Sequence, residues 1–511
     1  MKIGVIGAGV GGLSTAAMLR HAHPKATITV LERSGRLGGR CGSFATSAEG
    51  LTFRHEEGPS LMLLPEIYEE VFRKAGTSAS ACGLNYELCS DPLYSCYIKG
   101  DDGSTQLFPL GGSADMPPNF SDYLDLSELL LDVGLPLAIE ENPAKVPTSK
   151  ILPLIKKLVK HRFNPLGSFT KNLASFGFTP SLEAAATFQS LYIGLPPDEA
   201  PAVFSLLSAL ELRKGVHAPV GGFESVTRAL VEACAGGVEF RLNSTVTGMT
   251  PRKSGGATVS TSGSPPEEFD VVVVNTDPSV FRATVLRPPG SPKKEYDWDE
   301  SSTLSSSVIA LHFGLSSPLP GVSTHNVFLR PGPKPWWPLT RKPHDLNNLD
   351  SLNFYLHAPS RSDPSAVSGG PGDSLTVLVP WPTMDRRSWL SRSSSYPRTS
   401  AAVLSSVRDA VTSRVAEATG TDIRPSIVTE RVCGPEQWAS RHHLPAGAVF
   451  GSSHQLGQLS VFRERQEVGG FEGCFYVGSS TKPGNGVPLV MVGSMQVAGK
   501  VTRYLSRRRL P

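Results

Sequence analysis

Residues 2–21 read KIGVIGAGVGGLSTAAMLRH, a short apolar run, a cluster of glycines and then a helical pattern. The apolar run has the composition of a buried strand, and the residues after Gly12 carry helical spacing. Each glycine has a separate purpose in such a turn. Gly7 permits the tight bend, Gly9 lets a pyrophosphate approach the backbone, and Gly12 lets the helix lie close on the strand. The helix start then presents free N–H groups to the phosphate charge. A second strand pattern, TITVLE, ends at Glu32, about twenty residues past the last glycine, where a carboxylate accepts hydrogen bonds from ribose hydroxyls. Strand, turn, helix, strand and acid arrive in order, which predicts dinucleotide binding on an α/β, Rossmann-like domain.

Directly after Glu32 comes RSGRLGGRCGSF, residues 33–44. This second cluster has Gly35, Gly38 and Gly39 among Arg33, Arg36 and Arg40. A nicotinamide cofactor does not need it. A longer ligand passing near the backbone does, and guanidinium groups pair well with its phosphates. The spacing alone also fits a basic surface loop. The ligand it favours is FAD.

At 511 residues the chain is long enough for about two to four domains. Its 39% hydrophobic and 19% charged content is that of an ordinary globular protein. A net charge of +3, with no basic block interleaved with aromatics, argues against a nucleic-acid partner. The seven cysteines are scattered without a C-x-x-C pair, so neither a metal site nor a disulfide framework is expected, and a reducing compartment is the simpler reading. With the first strand pattern beginning at residue 2, no targeting segment is expected, and no apolar stretch approaches the ~20 residues needed to cross a bilayer.

Further along, GVHAPVGGFESVTRALVEACAGGVEFRLNSTVTGM (215–249) and FDVVVVNTDP (269–278) read as more of the nucleotide fold, separated by a polar hairpin or loop. Residues 61–214 are mostly helical in pattern. Between 300 and 380, apolar runs spaced by Gly/Pro/Ser-rich loops predict an antiparallel sheet, followed by a helix near 400–418. The expected organisation is a discontinuous FAD-binding domain (1–60, 215–285 and 425–511). A mainly helical, membrane-facing region (61–214) and an antiparallel-sheet substrate domain (286–424) interrupt it. KILPLIKKLVKHRF (150–163) is a basic amphipathic helix, read either as a membrane-interface element or as a surface helix with a solvated charged face.

With these residues in view, the chain resembles the bacterial and fungal type of phytoene desaturase, within the flavin amine oxidase superfamily. The segments that carry the likeness are LELRKGVHAPVGGF, FYLHAPSRSDPSAVSGGPGDSLTVLVP and the closing FYVGSSTKPGNGVPLVMVGS. The resemblance implies an FAD-dependent oxidoreductase that desaturates a long hydrophobic isoprenoid. It also implies peripheral association with a membrane, on the cytoplasmic face, and no metal. Relatives in that group also include carotene cis–trans isomerases, apocarotenoid oxidases and a retinol saturase, so a carotene isomerase or an apocarotenoid/retinoid oxidoreductase is an alternative, and a non-catalytic isoprenoid-binding escort is a further one. The electron acceptor is open between a quinone and oxygen. Matched position by position, the resemblance assigns FAD contacts to Gly7, Gly9, Gly12, Glu32, Arg33, Gly38, Gly39, Arg40, Val246, Gly478, Gly486, Val487 and Pro488. The family's T-H-P-G reads Thr481-Lys482-Pro483-Gly484, and its P-R-G-G reads Pro219-Val220-Gly221-Gly222; both departures bear on the substrate and not on the cofactor.

Desaturation removes a hydride and a proton from neighbouring carbons, so a flavin, a dry apolar tunnel and a proton acceptor are required. Candidate acid or base groups are few. Glu211 and Arg213 in LELRKG read either as a carboxylate and cation at the cavity or as a structural ion pair. Lys482 reads either as an exposed side chain or as a cation holding reduced flavin. Phe354, Tyr355 and Leu356 are candidate tunnel walls or core, and His357 a core histidine.

Overall fold

The computed structural model describes the chain except residues 91, 112–115, 140–142, 287–302, 332–348, 350–351, 385–398 and 509–511. The expected start of the third segment, residues 287–302, therefore lies outside the described residues.

A five-stranded sheet carries the nucleotide fold, with Cys474–Tyr476, Val271–Val274, Lys2–Ile6, Thr27–Leu31 and Val238–Arg241 side by side, all parallel. The four consecutive valines explain their own uniformity. Val271 and Val273 face a cluster with the helices, while Val272 and Val274 face Met249, Val259 and Phe269 of a three-stranded antiparallel meander. Both faces of the strand are covered, so both alternating sets are apolar. That meander (Val246–Pro251, Ala257–Thr261, Ser264–Phe269) occupies the stretch read as a polar hairpin or loop. The helix Val10–Ala22 packs against the terminal helix Val487–Arg508, which brings the two ends of the chain together.

A seven-stranded sheet forms the second layer, in the order Ile427–Cys433, Ser307–Leu315, Asp373–Trp381, Phe354–His357, His325–Leu329, Tyr94–Lys99, Thr105–Leu110. It differs from the expected organisation in three ways, two in boundaries and one in strand direction. Tyr94–Lys99 and Thr105–Leu110 come from the region read as mainly helical. Ile427–Cys433 comes from residues assigned to the FAD-binding part. The pairing of His325–Leu329 with Tyr94–Lys99 is parallel, where an antiparallel sheet was expected. These strands are five to seven residues long, and their place is decided by which sheet edge is free to accept them. The helix Ala401–Thr419 covers one face through Val407, Val411 and Val415; a helical layer with Pro118–Gly134, Thr148–Lys160, Phe169–Leu173 and Pro180–Thr187 covers the other.

Within that layer the helix Thr148–Lys160 ends where Arg162 turns left-handed (φ +47°) and the Phe163 N–H bonds the Leu158 carbonyl at 2.8 Å. Its orientation inverts the usual amphipathic arrangement. Lys157 reaches Asp122 (2.5 Å) and Asp125 (3.2 Å) on the helix Pro118–Gly134, and Leu154 is buried. Ile151, Leu152, Ile155 and Val159 face outward, with Leu152 59% and Val159 72% exposed. No helix among the described residues is long and apolar enough to cross a membrane.

Candidate cofactor and substrate site

A cavity of about 960 Å³ lies beyond the carboxyl ends of the parallel strands, the place where open α/β sheets bind ligands. Its volume is at the upper end of the roughly 300–1,000 Å³ typical of small-molecule sites. Twelve of the thirteen predicted cofactor contacts line it, from Gly7, Gly9 and Glu32 through Arg33, Gly38, Gly39, Arg40 and Val246 to Gly478, Gly486, Val487 and Pro488. Gly12 stands behind the wall, where a Cβ would collide with the Gly7 carbonyl oxygen. The close helix–strand approach expected of the third glycine is thus met.

The second glycine cluster is built onto the first. Gly38, in the left-handed region at φ +105°, donates its N–H to the Ala8 carbonyl at 2.8 Å. Glu32 accepts from the Ala8 N–H at 2.8 Å with one carboxylate oxygen and from the Ser34 N–H at 2.8 Å with the other. The second oxygen also accepts from the Ser34 hydroxyl at 2.8 Å, so the spare lone pair is on the oxygen bound to Ala8, and the residue lines the cavity.

Arg40 donates to the Val449 carbonyl (2.6 Å) and the Ser479 hydroxyl (3.0 Å), so it bridges the opening motif to the closing one. Burial lowers its pKa, and Asp277 opposes that shift. Arg36 and Arg441 both pair with Glu57, and Arg33 donates to the Arg441 carbonyl at 2.7 Å. The resulting positive field is read by His442, whose pKa falls to about 3 through burial and then Arg40, Arg441, Arg36 and Arg33. A cavity stretch with four guanidinium groups and backbone approach at glycines fits a diphosphate-bearing cofactor.

Asn275 was not singled out by sequence reasoning. Its amide, oriented to suit its neighbours, accepts from the Gly9 N–H and donates to the Val477 carbonyl, each at 3.2 Å. The signal was present: it ends the apolar run FDVVVVNTDP, at the carboxyl end of a central parallel strand.

The expected acid–base residues are not brought together at the cavity. Glu211 and Arg213 do not pair, because positions two apart on a helix point roughly 200° apart. Glu211 is fully buried and accepts from the Gln189 amide at 3.3 Å; Arg213 reaches Asp125 at 3.2 Å, on the outside. Neither lines the cavity, nor does Lys482, whose carbonyl accepts from Gln466 at 3.1 Å. Strand alternation also splits the candidate wall residues: Tyr355 lines the cavity, whereas Phe354 and Leu356 face the opposite core. His357 stacks on His325 with ring centroids 5.3 Å apart. From the helical layer the lining is mostly apolar, with Leu131, Val203, Phe204, Leu207 and Leu210, and Tyr192 adds a phenol.

The sequence matches the flavin containing amine oxidoreductase family over residues 10–488. The chain belongs to that family and is an FAD-dependent oxidoreductase. It is 31% identical to the phytoene desaturase of Fusarium fujikuroi, over 98% of this chain and 89% of that protein. It is 29% identical to the zeta-carotene-forming phytoene desaturase of Myxococcus xanthus, over 98% and 94% respectively. Likeness of that extent places it on the phytoene desaturase branch of the family. An oxidoreductase structure from Methanosarcina mazei shares the fold, with a TM-score of 0.62 and 19% identity, covering 98% of this chain and 100% of that one. FAD, when bound, supplies the two-electron hydride acceptor.

Proposed function

We propose that this chain introduces double bonds into a long hydrophobic isoprenoid of the phytoene type at a membrane surface. The observation that carries the reading is that one cavity joins an arginine- and glycine-lined cradle to a wall of leucine, valine and phenylalanine. In this reading Arg40 and the two glycine turns hold the diphosphate, Glu32 the adenosine ribose, and the Gly478–Pro488 segment the flavin. The apolar wall orients the substrate and excludes water, so that placement does most of the catalytic work.

The outward Ile151, Leu152, Ile155 and Val159, with Lys156, Lys160 and Arg162 beside them, support a peripheral attachment. Apolar side chains enter the acyl boundary while the lysines and arginine stay at headgroup level.

The test offers purified holoprotein and liposomes phytoene, partly desaturated carotenes and cis-lycopene in turn, and follows absorption spectra. Lengthened conjugation with flavin reduction supports the desaturase. Isomerisation without consumption of an acceptor would replace it with a flavin-dependent isomerase, and no spectral change with any carotene would sink the carotenoid reading.

A further inference from the structure

A fully buried carboxyl at Glu211 needs a reason, since an apolar side chain of that shape would suit its cluster better. Its Oε2 accepts from Gln189, and its Oε1 has no hydrogen-bond partner. The Tyr94 hydroxyl lies 3.2 Å from the Tyr192 hydroxyl; it is near enough to the carboxyl to lower its pKa, but makes no hydrogen bond to the free Oε1 in the resting structure. Tyr192 lines the cavity. Three polar groups therefore lead from the substrate wall into the interior through otherwise apolar packing.

We infer that Tyr192 and Tyr94 conduct the proton released in each desaturation from the cavity to the Glu211 carboxylate. The inference rests on the desaturase reading above. FAD, when bound, would supply the acceptor for the hydride that leaves one substrate carbon with its electron pair. The neighbouring carbon then loses a proton to the Tyr192 oxygen, and the electrons of that C–H bond form the new C=C bond. Tyr192 passes its own hydroxyl proton to Tyr94, and Tyr94 passes its own to Glu211, so both tyrosines end neutral. Tyr94 and Glu211 act through Tyr192 and are positioning residues.

The groups facing Glu211 are Tyr94 and Cys96 from one strand, Tyr123 from the helix Pro118–Gly134, Tyr192, and Tyr355 from the neighbouring strand. All are neutral near pH 7, and burial raises the Glu211 pKa to about 8. Through most of the neutral range the carboxyl therefore keeps its own proton, and the relay is open only in the deprotonated fraction, which grows as pH rises through about 8.

The test is anaerobic single-turnover reduction of the FAD holoenzyme by phytoene in liposomes, between about pH 6 and 10. The wild-type rate should rise with pH and level off above about 8. Tyr94→Phe, Tyr192→Phe and Glu211→Gln should each slow flavin reduction by about 100-fold and flatten the profile. Infrared difference spectra should show a protonated carboxyl gained on reduction in the wild type and absent in Glu211→Gln. Should Glu211→Gln fail to fold, the two tyrosine variants, which keep their rings, carry the test. Variants with the wild-type rate and pH profile would overturn the relay alone. A wild-type holoenzyme that phytoene does not reduce would overturn the relay together with the desaturase reading.

Discussion

The Ser494 hydroxyl lies 3.1 Å from the Gly11 carbonyl oxygen, a contact between positions 483 residues apart. It joins the helix that opens the chain to the helix that closes it. The cofactor cradle is therefore assembled from both termini, and a lesion at either end should release the same ligand.

Substituting Gly12 tests the opening turn. In Gly12→Val the new side chain meets the Gly7 carbonyl oxygen, so the helix is pushed off the strand. Protein purified from this variant should carry no flavin absorbance, whereas Gly469→Ala, at an exposed glycine with open space around it and no left-handed backbone, should keep its colour.

Asn275→Ala removes the strut between Gly9 and Val477. Two hydrogen bonds at about 0.5–1.5 kcal/mol each predict roughly tenfold or greater weakening of FAD binding. Fluorescence titration of the apoprotein with FAD measures it; unchanged affinity would show that the glycine turns hold their places unaided.

Glu211 also predicts a pH dependence of stability. Its pKa is raised from 4.5 in the unfolded chain to about 8 in the folded protein. Between these values the folded state holds a proton that the unfolded state has lost, so stability falls as pH rises from about 4.5 to about 8. Glu56, raised to about 7 by burial, acts with the same sign. Glu211→Gln removes only its own share, about 3–5 kcal/mol across the window. Denaturant unfolding at pH 5 and pH 8 should therefore show a smaller difference in the variant (both values chosen inside or at the edge of the linkage window). An identical difference would refute the assignment.

The outward face of Thr148–Lys160 is tested by Ile155→Glu with Val159→Glu. Each exchange removes an apolar side chain worth about 1.5–3 kcal/mol when buried, so partition to liposomes should drop at least tenfold. Both residues are exposed, and flavin absorbance should stay as in the wild type. Co-sedimentation equal to wild type would remove this helix from the membrane reading.

Some of this was legible in residue order alone. The glycines at 7, 9 and 12, the acid at 32, the arginines of the second cluster and the closing G-V-P turn announce a dinucleotide cradle, because backbone approach and helix starts are local requirements written in consecutive residues. The four valines at 271–274 likewise declare a strand covered on both faces. Tertiary packing decided the rest. It carried Tyr94–Lys99 and Ile427–Cys433 into one sheet, turned Tyr355 to the cavity and Leu356 away, and drew Glu211 inward while Arg213 went to Asp125. Which edge a short strand joins, and which side of a helix meets the interior, depends on partners hundreds of residues away. Local pattern names the candidates; only the packed chain selects among them.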